Sequence, residues 1–331
     1  TGFKKINTFN LPDSTITDGS EHFDIQLWTG DNANPRSFSN TAFSPDLVWY
    51  KSRNTAYYHN LYDSVRGVTR TIYPNATSAE YVNDVSGTLE SFDSDGFTVG
   101  GDTDVTTVNG TGQTYVGWQW RGSDSTAVSN TDGSLTSTVS ANPTAGFSVV
   151  KVTGTSTGVT TIGHGLGIVP RMILKKTTSH TTNWGVYHAS VGASQVGHLN
   201  LTNAFSSSSE WGSTTPTTSV FSNYVNNGYT DIFYCFAEVE GYSKFDSYVG
   251  NGSTDGPFIY TGFRPAFIMF RSTILCNWVI VDSARSTFNV MDDSLYPNTT
   301  GTEITTITDV DFLSNGFKWR ANLPNETNAS G

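Results

Sequence analysis

The chain repeats itself, and that constrains its fold more than any single residue does. Three segments place Pro at the head of a short apolar run: "FSPDLVWYKSR" (43–53), "GIVPRMILKKT" (167–177) and "GFRPAFIMFRS" (262–272). Each is followed by a second related segment: "YYHNLYDSVRG" (57–67), "NWGVYHASVG" (183–192) and "NWVIVDSARS" (277–286). Pro45 to Pro170 and Asp63 to His188 are both 125 residues, while Pro170 to Pro265 is 95 and His188 to Asp282 is 94. Offsets that agree across two motif sets point to one unit used three times. Proline at the first position of a strand forfeits no ladder hydrogen bond, so it marks the strand's entry.

Further sets extend the alignment. "FDIQLWTGD" (23–31), "FSVVKVTGT" (147–155) and "FDSYVGNGS" (245–253) open the units; "SDGFTVG" (94–100), "TSVFSN" (218–223) and "SNGFKWR" (314–320) recur late in them. "TYVGWQWRG" (114–122) matches "DIFYCFAEV" (231–239), with Trp118/Trp120 and Tyr234/Phe236 alternating onto one strand face. A third copy of this closing strand is expected after "NETNASG", so the last unit reads as incomplete and the chain, which also begins with Thr, as a processed or partial product. The expected organisation is an amino-terminal arm (1–22), repeat 1 (23–121), a Ser/Thr/Gly-rich linker (122–146), repeat 2 (147–240) and repeat 3 (241–331, closing strand missing). The linker explains the longer first offset, and the short junction "EGYSK" (240–244) packs repeats 2 and 3 rigidly together.

Strands dominate the local signals. Runs such as 45–51, 114–120, 147–152, 170–176, 231–239, 267–270 and 277–282 are β-branched and aromatic, with turn residues at their ends. Helical turns are expected only around "TSAEYVNDV" (77–85) and "VMDDSLY" (290–296). Short strands at this spacing give an all-β fold of antiparallel sandwich or barrel units.

Charge narrows the partners. The net charge of −11, with no Lys/Arg cluster, repels a phosphate backbone and argues against nucleic acid. No apolar run reaches the length of a helical span, and the amino end has no signal-peptide core, so membrane insertion is not expected. Cys235 and Cys276 are too few for a disulfide framework and read as buried free thiols. No fingerprint calls for a cofactor.

With its copies aligned, the chain resembles a repeated β-rich domain of virion and tail-fibre-like proteins of marine tailed bacteriophages, including cyanophages. The resemblance is carried by "FSPDLVWYKSRNTAYYHNLYDSVRG" (43–67), "SFDSDGFTVGG" (91–101), "NGTGQTYVGWQW" (109–120), "YCFAEVEGYSKFDSYVGNGSTDGPFIYTGFRPAFI" (234–268) and "NWVIVDSARSTFNV" (277–290), in that order. It implies lectin-like β-sandwiches in a structural or host-recognition protein and supplies no catalytic residue.

Several residues invite chemistry. Asp63/Ser64/Arg66 and Asp282/Ser283/Arg285 look like hydrolase pieces, but no Gly-x-Ser-x-Gly elbow surrounds either serine, and the motif recurs without recurring partners. The structural alternative is Asp capping a strand end while Arg pairs with it. Glu238 and Glu240, if both lie on a strand, face one way at a glycosidase-like separation of about 6.5–7 Å; they are the residues of the competing enzyme reading. Asp93 and Asp95 in "DSDG", with "DVTTVNG" (104–110), suggest calcium, though an Asx turn explains the same residues. The six histidines have no metal-ligand spacing. Sugar contacts are expected from Asn54, Tyr57 and Tyr58 in "NTAYYHN", and Trp184 in "SHTTNWG" aligns with Trp278 as a core residue. Asn-x-Ser/Thr triplets at Asn75, Asn109 and Asn251 follow from composition.

The expected function is therefore a non-enzymatic virion component, a tail fibre or surface protein contacting host glycans. Its partners are other virion proteins and copies of itself, trimeric if it is a fibre, and its location is the particle, extracellular when mature. A polysaccharide depolymerase and a capsid decoration protein are the alternatives.

Overall fold

The computed structural model describes residues 15–39, 41–82, 88–101, 108–123, 125–305, 309–321 and 328. It is all-β, its helical content among these residues being the single 3-10 turn Gly19–Glu21. Unit 1 holds β1 (Phe23–Thr29), β2 (Arg36–Ser39), β3 (Leu47–Ser52), β4 (Asn60–Asp63), β5 (Arg70–Thr71), β6 (Tyr81–Val82), β7 (Leu89–Asp93), β8 (Gly96–Val99) and β9 (Thr114–Trp120). Unit 2 holds β10 (Val128–Asn130), β11 (Ser137–Asn142), β12 (Phe147–Thr153), β13 (Gly158–Gly163), β14 (Pro170–Thr177), β15 (Gly185–His188), β16 (Gln195–His198), β17 (Ser206–Ser207), β18 (Val220–Val225) and β19 (Thr230–Ala237). Unit 3 holds β20 (Phe258–Tyr260), β21 (Phe267–Phe270), β22 (Val279–Asp282), β23 (Ser294–Leu295), β24 (Val310–Leu313) and β25 (Gly316–Trp319).

Each unit has a main sheet and a smaller second layer. The main sheets run β1-β9-β3-β4, then β10-β11-β12-β19-β14-β15-β16-β17, then β21-β22-β23; the second layers are β2-β8-β7, β13-β18 and β20-β25-β24. Side chains alternate between two cores, as the strand period requires. Val48 and Tyr50 face unit 1's own core, Ile173 and Phe233 that of unit 2, and Val279 and Val281 that of unit 3. Their neighbours Leu47 and Trp49, Leu174 and Tyr234, and Trp278 and Ile280 meet in one central core shared by all three units. Burial on both faces explains why these strands read as unbroken apolar runs: all six residues of Leu47–Ser52 and all four of Val279–Asp282 are buried.

A closed circuit of hydrogen bonds ties the units around that core. Trp184 Nε1 donates to the Tyr73 carbonyl at 2.9 Å, Trp278 Nε1 to the His198 carbonyl at 2.9 Å, and His59 Nε2 bonds the Tyr296 carbonyl at 3.1 Å. Unit 2 thus grips unit 1, unit 3 grips unit 2, and unit 1 grips unit 3. The acceptors hold one structural position, each following the residue paired with Leu61, Val186 or Ile280. The backbone amides of the same three donors are capped by the side-chain oxygens of Asn75, Asn200 and Asn298 at 3.0, 2.9 and 3.0 Å. A buried ring N–H needs such an acceptor, and a strand-end carbonyl supplies it.

Two expectations change. Residues 122–146 are not a linker: β10 and β11 extend unit 2's sheet, and Leu135, Val139 and Ala145 are buried. Small alternating side chains suffice there because β11 is held by ladder bonds to β12 and by contacts with unit 1, where Ser140 Oγ donates to Asp46 Oδ1 at 2.6 Å. The helical turns are absent as well: β6 occupies Tyr81–Val82 within 77–85, whose residues 83–85 lie outside the described residues, and β23 occupies Ser294–Leu295 within 290–296. The amino-terminal arm meets unit 2 at its last residue, where Asn142 Nδ2 lies 3.1 Å from His22 Nδ1; residues 1–14 lie outside the described set.

Candidate functional site

The Asp-Ser-Arg motif is built as a buried clamp. β4 ends at Asp63, whose Oδ1 accepts the Arg66 amide at 2.8 Å and whose Oδ2 accepts Arg66 Nε at 2.6 Å. Arg66 also donates to the Leu61 carbonyl and to Glu80 Oε2 at 3.1 and 3.0 Å. Unit 3 repeats the arrangement with Asp282, Arg285, the Ile280 carbonyl and Glu303 at 2.9, 2.6, 3.0 and 3.1 Å. A closing-strand ring from another unit completes each clamp: Tyr234 OH donates to Asp63 Oδ2 at 2.6 Å and Trp118 Nε1 to Asp282 Oδ2 at 3.0 Å. Unit 2 places His188, Val191 and Phe205 at the three positions, exchanging the ionic set as a whole. Ser64 Oγ faces no base of the clamp and donates instead to Asp46 Oδ1 at 2.5 Å. With both carboxylates wholly buried and engaged, the motif holds strand ends and unit junctions together.

The other sequence candidates are scattered. β19 ends at Ala237, so Glu238 and Glu240 lie beyond the strand and its i, i+2 spacing does not apply to them. Glu238 bonds Lys244 Nζ at 2.6 Å, and Glu240 sits exposed in the turn before Gly241. Asp93 accepts Ser91 Oγ and Thr98 Oγ1 at 2.6 and 2.7 Å, locking the β7–β8 hairpin, while Asp95 is exposed at its tip. Residues 104–107 of the second calcium candidate lie outside the described residues, and Asn109 is occupied with Asp31 and Ala33. Asn54 Oδ1 accepts the Thr114 amide at 3.0 Å, which fixes the start of β9. Cys235 and Cys276 are both buried and not joined in a disulfide, and burial pushes the Cys235 thiol well up.

One group of exposed aromatic rings lies on unit 1. Tyr57 is half-buried, while Tyr58 is 46% exposed with its ring 4.9 Å from that of Tyr73, tilted by 37°. Tyr81, 49% exposed, completes the group; burial and the phenols of Tyr62, Tyr81 and Tyr58 push the Tyr73 hydroxyl up. β5 and β6 carry Arg70 and Tyr81, and Arg70 with Glu80, the residue before Tyr81, lines a polar cleft of about 290 Å³ between units 1 and 2. Arg70, Glu80, Lys151, Thr178, Ser179 and Thr230 line the cleft. Arg70 and Glu80 pair at 2.8 Å, and beside Ser179 and Thr230 the rings of His180 and Tyr229 stack with centroids 3.5 Å apart.

Sequence reasoning found Tyr57 and Tyr58 but missed Tyr73, Tyr81 and the cleft, whose walls are some 70 to 160 residues apart along the chain. The available signal was "YPN" at 73–75, which returns at 296–298. Aromatic planes beside hydroxyls, a guanidinium and a carboxylate offer stacking and bidentate hydrogen bonding to a polyhydroxylated ligand.

No curated protein and no solved structure matches the chain. A family model does match, spanning all three units over residues 18–331, and the chain belongs to that family, described as a domain of unknown function (DUF7483).

Proposed function

We propose that this chain is a non-enzymatic glycan-contacting component of a bacteriophage virion, carried on a tail fibre or on the particle surface. The observation that carries the reading is the Tyr58–Tyr73 ring pair with Tyr81 exposed nearby, next to a cleft of hydroxyls and paired charges. Rings held this way lose little conformational freedom on stacking against a sugar, and the cleft bonds the hydroxyls. The resemblance to virion proteins supplies the setting. Display of many copies on a particle, trimeric on a fibre, turns weak single contacts into avidity. The consumption of both Asp-Ser-Arg motifs in structural clamps supports a binding role over a hydrolytic one.

The test is a glycan array followed by adhesion to host cells, using the chain and its Tyr58→Ala, Tyr81→Ala and Arg70→Ala variants. Loss of a stacking ring is expected to weaken binding about tenfold or more. A chain that binds no glycan and no host cell, or variants that bind as the parent does, would defeat the reading.

A further inference from the structure

Among the described residues, unit 3 has an open slot where units 1 and 2 hold a strand. β9 pairs on one side with β1 and on the other with β3, and β19 likewise joins β12 and β14. β21, the counterpart of β3 and β14, has β22 as its ladder partner among the described residues, and Phe245–Gly250, the counterpart of β1, is in no strand. Between them runs a groove of about 850 Å³, whose lining includes Trp120, His188, Phe236, Phe245, Phe267 and Met269. Val249 is 73% exposed, whereas Leu27 at the same position of unit 1 packs against the central core.

Two observations identify the occupant. Asn109, five residues before β9, clamps the loop after β1: its Nδ2 donates to Asp31 Oδ1 and the Ala33 carbonyl at 2.8 and 3.0 Å, and its Oδ1 and carbonyl accept the amides of Asp31 and Asn32 at 3.3 and 2.8 Å. Asn328 makes the same four bonds to Asn251, Ser253 and Gly252, at 2.8, 2.6, 2.8 and 2.9 Å. The lock that precedes a closing strand is thus formed in unit 3. The second observation comes from the clamps. Trp118 and Tyr234, opposite Trp49 and Leu174, reach Asp282 and Asp63, and the third such position is His188, on the groove wall, whose Nδ1 accepts the Ser190 amide at 3.2 Å and whose Nε2 therefore carries the ring proton.

We infer that the groove receives an antiparallel β-strand in cis, entering five residues beyond Asn328, with large apolar side chains at alternate positions and an aromatic ring opposite Met269 that packs against His188. Backbone pairing to β21 supplies the ladder, and alternate side chains fill the central core. The inference is independent of glycan binding.

Appending the ten residues "QTYVGWQWRG" of 113–122 after Gly331 tests it, because Asn109 to Gln113 and Asn328 to the first added residue are both four positions. Amide exchange across Phe267–Phe270 is expected to slow about tenfold or more, and binding of an apolar dye to fall, with the oligomeric state unchanged. The same extension with both tryptophans replaced by lysine is the control and is expected to protect nothing. His188→Ala in the extended chain is expected to return part of the exchange. Equal exchange with the two extensions overturns the inference, and so does protection that appears only as dimers form, which would mean donation by a second copy. Should the extended chain fail to fold, the free ten-residue peptide titrated onto the 331-residue chain decides, and absence of saturable binding overturns it.

Discussion

The Trp49 indole donates to His59 Nδ1 at 3.0 Å, diagonally across β3 and β4, with both rings buried. At the same two positions unit 2 has Leu174 with Trp184 and unit 3 has Met269 with Trp278. Each unit therefore places one indole at this pair of positions and chooses which strand bears it. Trp49→Leu alone leaves a cavity and an unpaired imidazole, at a cost of about 2–4 kcal/mol. His59→Trp alone overpacks the site by about 1–3 kcal/mol. The double variant reproduces the arrangement of the other units, so chemical denaturation should show it losing about 1–3 kcal/mol less than the sum of the singles.

His59 also makes stability depend on pH in a definite direction. A Trp N–H can only donate, so Nδ1 accepts and Nε2 carries the proton bonded to the Tyr296 carbonyl. Burial, with Lys51 adding to it, holds the imidazole well below its usual range. Below the unfolded value of about 6.5 the unfolded chain takes up a proton that the folded chain refuses, so stability falls as pH falls. The expected slope is about 1.4 kcal/mol per pH unit from this residue. Asp46, Asp231, His164 and His188 also have shifted values, so the measurement is a difference: denaturation midpoints of the parent minus those of the Trp49→Leu/His59→Trp chain between pH 4.5 and 7. The parent should lose more stability toward acid.

The two ionic clamps should behave as units rather than as single residues. Asp63→Asn strips the charge that faces buried Arg66 while keeping the shape, and a cost of about 3–5 kcal/mol is expected. The combined Asp63→His/Arg66→Val/Glu80→Phe chain installs the unit 2 set and should recover most of that loss, because no charge is left buried without a partner. Thermal unfolding of both chains provides the comparison, and a triple variant less stable than Asp63→Asn would show that the clamp is not exchangeable.

Central strands were legible in the sequence because burial on both faces writes a continuous apolar run. "TYVGWQW" is β9 to the residue, and "PRMILKK" ends one residue short of β14. The late motif "SDGFTVG" marks β8, and its relatives mark β18 and β25. The circuit joining the units was not legible, since its acceptors are the main-chain carbonyls of Tyr73, His198 and Tyr296, which leave no side-chain signature. Asn75 looked like a compositional accident, yet it caps a strand from the position of Asn200 and Asn298. β10 and β11 were hidden for a different reason. Their hydroxyl-rich side chains resemble a flexible segment, and only pairing with β12 and packing on unit 1 reveal strands.

That packing gives the last prediction. Asp46, buried in unit 1, accepts Ser64 Oγ, Ser140 Oγ and the Gly122 amide at 2.5, 2.6 and 2.9 Å. Burial raises its carboxyl above the usual range, and these three donors work against that rise. A Cβ on Gly122 would stand 2.7 Å from both Asp46 Cγ and Ser140 Oγ, nearer than atoms can pack. Gly122→Ala must therefore push β11 away from unit 1, with an expected loss of about 1–3 kcal/mol. Ser140→Ala removes one donor to the carboxylate and the acceptor of the Ser123 amide, at about 1.5–3 kcal/mol. Limited proteolysis separates this clamp from a flexible connection: in the parent chain 125–146 should resist cleavage as long as the β12 ladder does, whereas in Gly122→Ala it should be cut first. Rapid cleavage of the parent in this segment would show that β11 is not held against Asp46.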